Sequence, residues 1–129
     1  MLNIIVRNSK KLSTADKRRP GYAYVGRPTV LGNPFSHLHY AKNTTLVANP
    51  GEAVKAYETW IRKEIVNGND QILDALFSLY EVAVSGSLEL ACWCKDEVNP
   101  SAQDHECHAD IIRKLIIEEH EVQMEKTYA

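Results

Sequence analysis

The centre of the sequence carries two consecutive helix patterns, each with its own start and stop signals. The first begins at Asn49, which precedes a proline that suits the first helical position, and it ends at Asn67 before a glycine. The second begins at Asn69 or Asp70 and is broken by Gly86. In both, apolar side chains recur every three or four residues, which predicts one buried stripe on each helix. The fold must therefore bury two adjacent amphipathic helices.

Segments with strand character flank this helix pair. Residues 2–7 alternate in side-chain type, residues 22–25 are aromatic and β-branched, and residues 87–94 alternate again, so each predicts a strand. A last helix follows a cap at Asp104 and is expected to fray from about Glu121. This order of elements predicts an α/β or α+β domain in which three helices pack on a short, mostly parallel sheet.

Length and composition restrict the class of protein. A chain of 129 residues predicts one domain, here residues 1–120, followed by a C-terminal tail at residues 121–129. Apolar residues make up 44% and charged residues 25%, which is typical of a globular protein and excludes a disordered or fibrous chain. No apolar run reaches the roughly 18–20 residues that a bilayer requires, and no signal-peptide pattern is present. Three cysteines do not make a disulfide framework, so we expect a cytoplasmic protein without a membrane partner.

The charge balance bears on the kind of partner. There are 15 Lys and Arg against 17 Asp and Glu, a net charge of −2, which disfavours general nucleic-acid binding. A basic stretch at residues 10–19 is by itself typical of a solvated loop. Nucleic-acid binding would be supported despite the net charge if this stretch lay beside Arg27 on one positive surface.

All the cysteines of the chain lie in one short segment that also holds a histidine. A Cys-x-Cys pair on a strand projects both sulfurs to one face, and three thiolates with one imidazole suit tetrahedral zinc. One interpretation is therefore a zinc site, with zinc as the cofactor. The competing interpretation is structural, because free cysteine behaves as a small hydrophobe that favours cores. The ligands in the zinc interpretation are Cys92, Cys94, Cys107 and His108.

A catalytic interpretation uses part of the same group. The dipole of a helix stabilises a thiolate in its first turn, which favours Cys107 as a nucleophile. His108 is then a candidate general acid or base whose tautomer is held by a carboxylate, and Asp110 is the third candidate catalytic residue. Adjacent helical residues point about 100° apart, so Cys107 and His108 are not expected to face each other. Asp110 also fits a purely structural role, as a first-turn acid that complements the helix dipole.

A loop rich in glycine and proline follows the second predicted strand. Within residues 26–35, Arg27 can bind a phosphate or carboxylate through two hydrogen bonds, and Asn33 can recognise an amide or a base edge. Tyr24, just before the loop, completes the predicted ligand-binding set. A purely structural turn is the alternative, because Gly-Asn-Pro is good turn chemistry. The aperiodic region 26–49 could also contribute another strand.

Four sequence blocks occur together in this chain: G-R-P from Gly26, G-N-P-F from Gly32, C-W-C from Cys92 and C-H-A-D from Cys107. They resemble a small family of phage and bacterial proteins that is described only as a domain of unknown function, and the likeness spans roughly residues 2–116. The resemblance implies a compact single domain whose site is marked by these blocks, and it implies no particular reaction. In the family pattern the last two blocks lie a few residues apart, whereas residues 95–106 separate them here.

These features predict a site where the loop and the Cys/His group converge. Such a site suits a nucleotide-like or phosphorylated small molecule, with Arg27 for the anion, Asn33 for orientation and the Cys/His group for chemistry or a metal. Whether the protein is an enzyme stays open. The rival interpretation is a non-catalytic phage accessory protein that binds a host protein or sequesters a small molecule in the host cytoplasm. In that case the cysteines, or a zinc ion that they hold, are structural.

Overall fold

In the computed structural model of the protein, residues 2–8, 12–36, 44–92 and 107–128 are described. The described part is a small mixed α/β domain with four helices and a short parallel sheet, which confirms the predicted fold class. Its elements in chain order are β1 (Asn3–Asn8), α1 (Thr14–Lys17), β2 (Tyr22–Tyr24), β3 (Phe35–Ser36), β4 (Thr45–Leu46), α2 (Pro50–Val66), α3 (Asp70–Ser85), β5 (Ser87–Cys92) and α4 (His108–Tyr128).

The main sheet has β5 in its centre, between β1 and β2, and both pairings are parallel. Ile4 lies opposite Leu88 and Val6 lies opposite Leu90, and all four pack in or against the hydrophobic core. Successive residues of a strand point to opposite faces, so the residues between them face away from this core. The short strands β3 and β4 form a separate parallel pair within the aperiodic region, where the sequence allowed a further strand.

The two central helices begin and end where their capping residues predict. The Asn49 side chain accepts a hydrogen bond from the Glu52 backbone N–H at 2.9 Å, and the Asn69 side chain accepts one from Ile72 at 3.3 Å. Each bond satisfies one of the backbone donors that a helix start leaves unpaired. Gly86 is the C-cap of α3. Local sequence chemistry therefore sets both helices.

Gly21 allows β2 to enter the sheet close to β5. Its φ is +90°, a conformation that L side chains rarely adopt, and its carbonyl accepts a hydrogen bond from the Glu89 N–H at 2.8 Å. A Cβ at this position would overlap the carbonyl oxygen of Ser87. Only glycine fits this entry to the strand without a backbone shift.

The last helix, α4, differs from its predicted bounds at both ends. It begins at His108, and the predicted cap Asp104 lies outside the described residues. It continues to Tyr128 through the segment expected to fray, because side chains bond along it: Gln123 donates to Glu119 at 2.7 Å and Thr127 donates to the Gln123 carbonyl at 3.0 Å. Among the described helices, none is long and apolar enough to cross a membrane.

A group of charged side chains joins α2 to α4. Arg62 donates to both carboxylate oxygens of Glu118 at 3.0 Å and to Glu58 at 2.9 Å, and Lys114 also reaches Glu58 at 3.2 Å. The hydrogen bond from Arg62 holds the pKa of Glu58 below its ordinary value. These pairs are partly exposed, and exposed ion pairs contribute little to the free energy of folding. Their role is therefore to align α2 with α4.

Candidate metal centre at the edge of the sheet

The candidate centre lies at the edge where the parallel strands end. Cys92 is the last residue of β5, and Val25 follows β2 and donates its N–H to the Ala91 carbonyl at 2.9 Å. The first residue of α4, His108, reaches the same edge by a hydrogen bond to Val25. Parallel α/β sheets commonly place ligands at the carboxyl ends of their strands. The ends of β2 and β5 and the start of α4 therefore meet at this edge.

Three of the predicted metal ligands come together at this edge. The Sγ atoms of Cys92 and Cys107 are 2.7 Å apart, and the Cys107 Sγ lies 3.8 Å from the Nδ1 atom of His108. The donor atoms of all three residues lie within 4.8 Å of one another. The side chains are deeply buried, at 0%, 2% and 5% exposure respectively. The long insertion between the two sequence blocks therefore does not separate Cys92 from Cys107; Cys94, the fourth predicted ligand, lies outside the described residues.

The ring of His108 is held in one orientation. Its Nε2 lies 2.8 Å from the Val25 carbonyl oxygen, which can only accept a hydrogen bond, so Nε2 carries the proton. In the neutral ring Nδ1 is then unprotonated, and it faces the Cys107 sulfur. Burial is the main cause that lowers the pKa of His108, which favours this neutral form. The edge contact of the ring with Tyr57, with centroids 5.2 Å apart, packs its other side.

Cys107 immediately precedes the first turn of α4. Its sulfur accepts a hydrogen bond from the Ala109 N–H at 3.4 Å, and its own N–H donates to the Asp110 carboxylate at 2.7 Å. Asp110 therefore caps the helix, in line with the structural alternative for this residue. The expectation that Cys107 and His108 face apart is wrong, because Cys107 lies before the helix and the helical rotation of 100° does not apply to it.

The oxidation states of the described cysteines differ. Cys107 is disulfide-bonded, whereas Cys92 is not part of a disulfide. A single bridge does not make a disulfide framework, but it is one more bridge than the composition led us to expect. A sulfur in a disulfide is not a thiolate ligand, so metal binding by this group requires the reduced protein.

The loop that follows β2 lies beside this group. The Tyr24 hydroxyl donates to the Arg27 carbonyl at 2.9 Å, and Thr29 donates to the Gly26 carbonyl at 2.6 Å. Arg27 lies two positions after Val25, whose carbonyl bonds His108, and after burial its positive charge is a further cause that lowers the pKa of His108. Arg27 is exposed and its guanidinium forms no hydrogen bond or ion pair with the described residues. This loop therefore presents a cation at the edge of the sheet.

Asn33 has a different environment from Arg27. Its side-chain N–H₂ donates to the Ala53 carbonyl at 3.2 Å, and its side-chain oxygen accepts from the Phe35 N–H at 2.9 Å. Both ends of the amide thus fasten the loop to α2 and to β3. Its predicted role in ligand binding stays a prediction.

Tyr57 lies in the apolar stripe of α2 and was not singled out by the sequence analysis. Its hydroxyl donates to the Leu31 carbonyl at 2.7 Å, and its ring contacts His108, so one residue of α2 supports both the loop and the centre. A signal was available in the sequence: a tyrosine inside an otherwise aliphatic stripe needs a partner for its hydroxyl.

A separate cavity of about 420 Å³ lies between α2, α3 and α4. Its described lining is mostly apolar, with Leu73, Leu76 and Leu115 among the contributing residues. None of the predicted site residues belongs to that lining, so the cavity is not part of the candidate centre.

Comparison with known proteins places these features in one family. The family model of a domain of unknown function, DUF4326, matches residues 8–118. The chain belongs to this family. No curated protein and no solved structure matches the chain. The match covers the strands from β2 to β5, the loop of Arg27 and the Cys/His group, which confirms the resemblance to an uncharacterised domain family.

Proposed function

We propose that the reduced protein binds one zinc ion at the carboxyl edge of its sheet. The ligands are Cys92, Cys107 and His108, with Cys94 as the fourth. The observation that carries this proposal is the orientation of His108. Histidines that ligate metals usually donate their second ring N–H to a carbonyl or carboxylate, and the Val25 carbonyl accepts that bond here and leaves Nδ1 toward the sulfurs.

The donor set and its burial support a structural zinc more than a catalytic one. Thiolate sulfur and imidazole nitrogen are ligands that zinc prefers, and structural zinc sites are closed to solvent. Cys107 and His108 are only 2% and 5% exposed, which also disfavours their use as a nucleophile and base on a bulky substrate. Zinc at this position would tie the end of β5 to the start of α4.

The same edge supports binding of a nucleotide-like or phosphorylated small molecule. Arg27 is exposed, and its guanidinium can bind a phosphate by donating two hydrogen bonds to it. The Tyr24 hydroxyl bonds the Arg27 carbonyl and so fixes the backbone of the loop from which the guanidinium extends. The zinc site would then be the scaffold of a small-molecule site.

One observation favours the rival function, an accessory protein with structural cysteines and no metal. Cys107 is disulfide-bonded, and a disulfide can stabilise a fold without zinc. The two proposals differ in the metal content of the reduced protein.

Metal analysis of protein purified under a phosphine reductant tests the zinc proposal. We expect about one zinc per chain, and we expect Cys92→Ala and His108→Ala to lose it while they keep a helical circular dichroism spectrum. His120→Ala is the matched control, because that ring contacts Tyr80 and lies outside the centre. A reduced protein that is free of metal, and whose melting temperature zinc and chelator leave unchanged, would contradict the proposal.

A thermal-shift panel of nucleotides and sugar phosphates tests the ligand proposal. A ligand that binds only the folded state raises the melting temperature by mass action. We expect the shift to disappear in Arg27→Ala and to persist in Lys55→Ala, a matched removal of one exposed cation on α2. No shift with any phosphorylated compound, or an equal shift in both variants, would count against the Arg27 site.

A further inference from the structure

The cavity between α2, α3 and α4, here called the three-helix cavity, is lined by apolar side chains that the core leaves uncovered. Four lining residues belong neither to the hydrophobic core nor to the partly buried layer packed against it: Val66, Leu73, Phe77 and Val122. Val66 is 84% exposed, Phe77 is 52% exposed and Val122 is 43% exposed. Exposed apolar side chains that share one cavity mark a site for a partner or a ligand.

The helical walls of the three-helix cavity are about two turns long. On α3 the lining residues recur every three or four positions and so share one face of the helix: Leu73, Leu76, Phe77 and Tyr80. They span about 10.5 Å along the helix axis, at 1.5 Å per residue. α4 lines the cavity over an equal length, from Leu115 to Val122. A bound amphipathic helix presents its apolar anchors at positions i, i+4 and i+7, which also span this length.

Acidic residues border the three-helix cavity. Glu118 and Glu119 of α4 belong to its lining. α3 has three exposed acidic residues, Asp70, Asp74 and Glu81, and it has no lysine or arginine. At about 100° per residue, these three residues lie along one side of the lining stripe of α3. The border is therefore acidic on two of the three helices.

The cation in the lining does not offset these acids. Arg62 donates to both carboxylate oxygens of Glu118 at 3.0 Å, so the two charges compensate each other. Glu119 accepts a hydrogen bond from the uncharged Gln123 and forms no ion pair with the described residues. Two further cations lie near the lining in sequence, Lys63 and Lys126. Glu119 and the three acids of α3 outnumber them, so the border keeps a negative charge.

We propose that the three-helix cavity binds a basic amphipathic helix of a partner protein. The apolar side chains of that helix fill the cavity, and its lysines or arginines face the acidic border. A second copy of this chain fits less well, because an isologous interface would set the acidic border against itself. A neutral apolar molecule would use the interior of the cavity but would gain nothing from the border. The charge therefore decides for a basic partner.

This proposal is independent of the zinc and phosphate proposals. None of the residues that line the three-helix cavity belongs to the Cys/His centre or to the loop of Arg27. Failure of the helix-binding proposal therefore leaves the proposed function intact, and the reverse also holds.

Fluorescence anisotropy with a labelled peptide made of two Leu-Lys-Lys-Leu-Leu-Lys-Leu repeats tests the proposal. As a helix, this probe has its leucines on one face and its lysines on the other. We expect saturable binding that weakens as the salt concentration rises. Two control peptides should bind at least tenfold more weakly. One has glutamate in place of lysine, and the other has the same residues in an order without helical periodicity.

Two variants of the protein test the apolar and the charged contacts, each beside a matched control. Phe77→Ala should weaken binding about tenfold, as truncation of an interface anchor does. Val84→Ala should not, because Val84 is an equally exposed residue of α3 outside the lining. Glu119→Gln should weaken binding and reduce its dependence on salt, whereas Glu52→Gln at the other end of α2 should do neither.

Any of four results would overturn the proposal. The wild type fails to bind the lysine peptide saturably, or Phe77→Ala binds it as tightly as Val84→Ala while both melt as the wild type does. The glutamate peptide binds as tightly as the lysine peptide, which would assign the cavity to an apolar ligand regardless of charge. The peptide without helical periodicity binds as tightly as the amphipathic one, which would leave only attraction between opposite charges.

Discussion

Replacing Tyr57 with phenylalanine tests whether one hydroxyl fastens the Arg27 loop to the helices. The side chain is fully buried, and its hydroxyl donates to the Leu31 carbonyl at 2.7 Å. Burial raises the pKa of Tyr57 above its ordinary value, so the hydroxyl stays a donor at every pH of practical use. Phenylalanine keeps the ring against His108 but leaves the carbonyl without this donor. Because an unsatisfied buried polar group costs roughly 1–3 kcal/mol, we expect the free energy of unfolding to fall by that amount.

Urea denaturation followed by tryptophan fluorescence measures this loss. Trp60 reports on the site directly, because its ring centroid lies 5.7 Å from that of Tyr57. Tyr80→Phe is the control: its half-buried hydroxyl faces His120 at 3.2 Å, and its loss should cost less than about 1 kcal/mol. Amides of residues 26–34 should also exchange hydrogen faster in Tyr57→Phe. The reasoning is refuted if Tyr57→Phe is as stable as Tyr80→Phe and its loop amides are protected as in the wild type.

The remaining predictions concern the loop, the sheet entry and the helix pair. Asn33→Ala should lower the free energy of unfolding by about 1–2 kcal/mol, measured with urea, because two hydrogen bonds are lost; unchanged stability would contradict a fastening role. Gly21→Ala should cost about 2–4 kcal/mol because of its positive φ and the overlap with β5, while Gly86→Ala, which meets open space, should change stability by less than about 0.5 kcal/mol. The pKa of Glu58 is lowered by Arg62, so its contribution is present at neutral pH and is lost on acidification. The stability advantage of the wild type over Glu58→Gln should be at most about 1 kcal/mol at pH 7, as for other partly exposed pairs, and should disappear as the pH falls through the lowered pKa of Glu58; a constant difference across urea titrations from pH 7 to 3 would be inconsistent with this pairing.

Helices whose start and end are set by neighbouring capping residues could be predicted from the sequence. Asn49 and Asn69 cap their helices with their own side chains, so a few adjacent residues contain the necessary information. The bounds of α2 and α3 follow from that chemistry. The start of α4 was harder to predict. The Cys107 sulfur accepts the hydrogen bond from the Ala109 N–H, whereas sequence rules favour Asp or Ser in that position.

The assembly of the sheet was not predictable from periodicity. Alternation in residues 87–92 indicates a strand and its buried face, but it contains nothing about which strands lie on either side. The clustering of Cys92, Cys107 and His108 was predicted from residue type and spacing. The bond from His108 to Val25 joins residues 83 apart in sequence, and a backbone carbonyl has no signature in the sequence. The partner that fixes the ring was therefore inaccessible before the fold was known.

The central position of β5 has a consequence for how the chain matures during translation. Asn3 in β1 and its partner Ser87 in β5 are 84 residues apart. At synthesis rates of about 5–20 residues per second, β1 leaves the ribosome roughly 4–17 s before the strand that pairs with it. During that interval Ile4 has no sheet in which to be buried, and β2 has no neighbour to which it can hydrogen-bond. A nascent chain that stalls upstream of β5 therefore has helices but lacks the parallel ladder of the main sheet, and β1 and β2, which then have no strand to pair with, are the segments that chaperones or proteases would meet first.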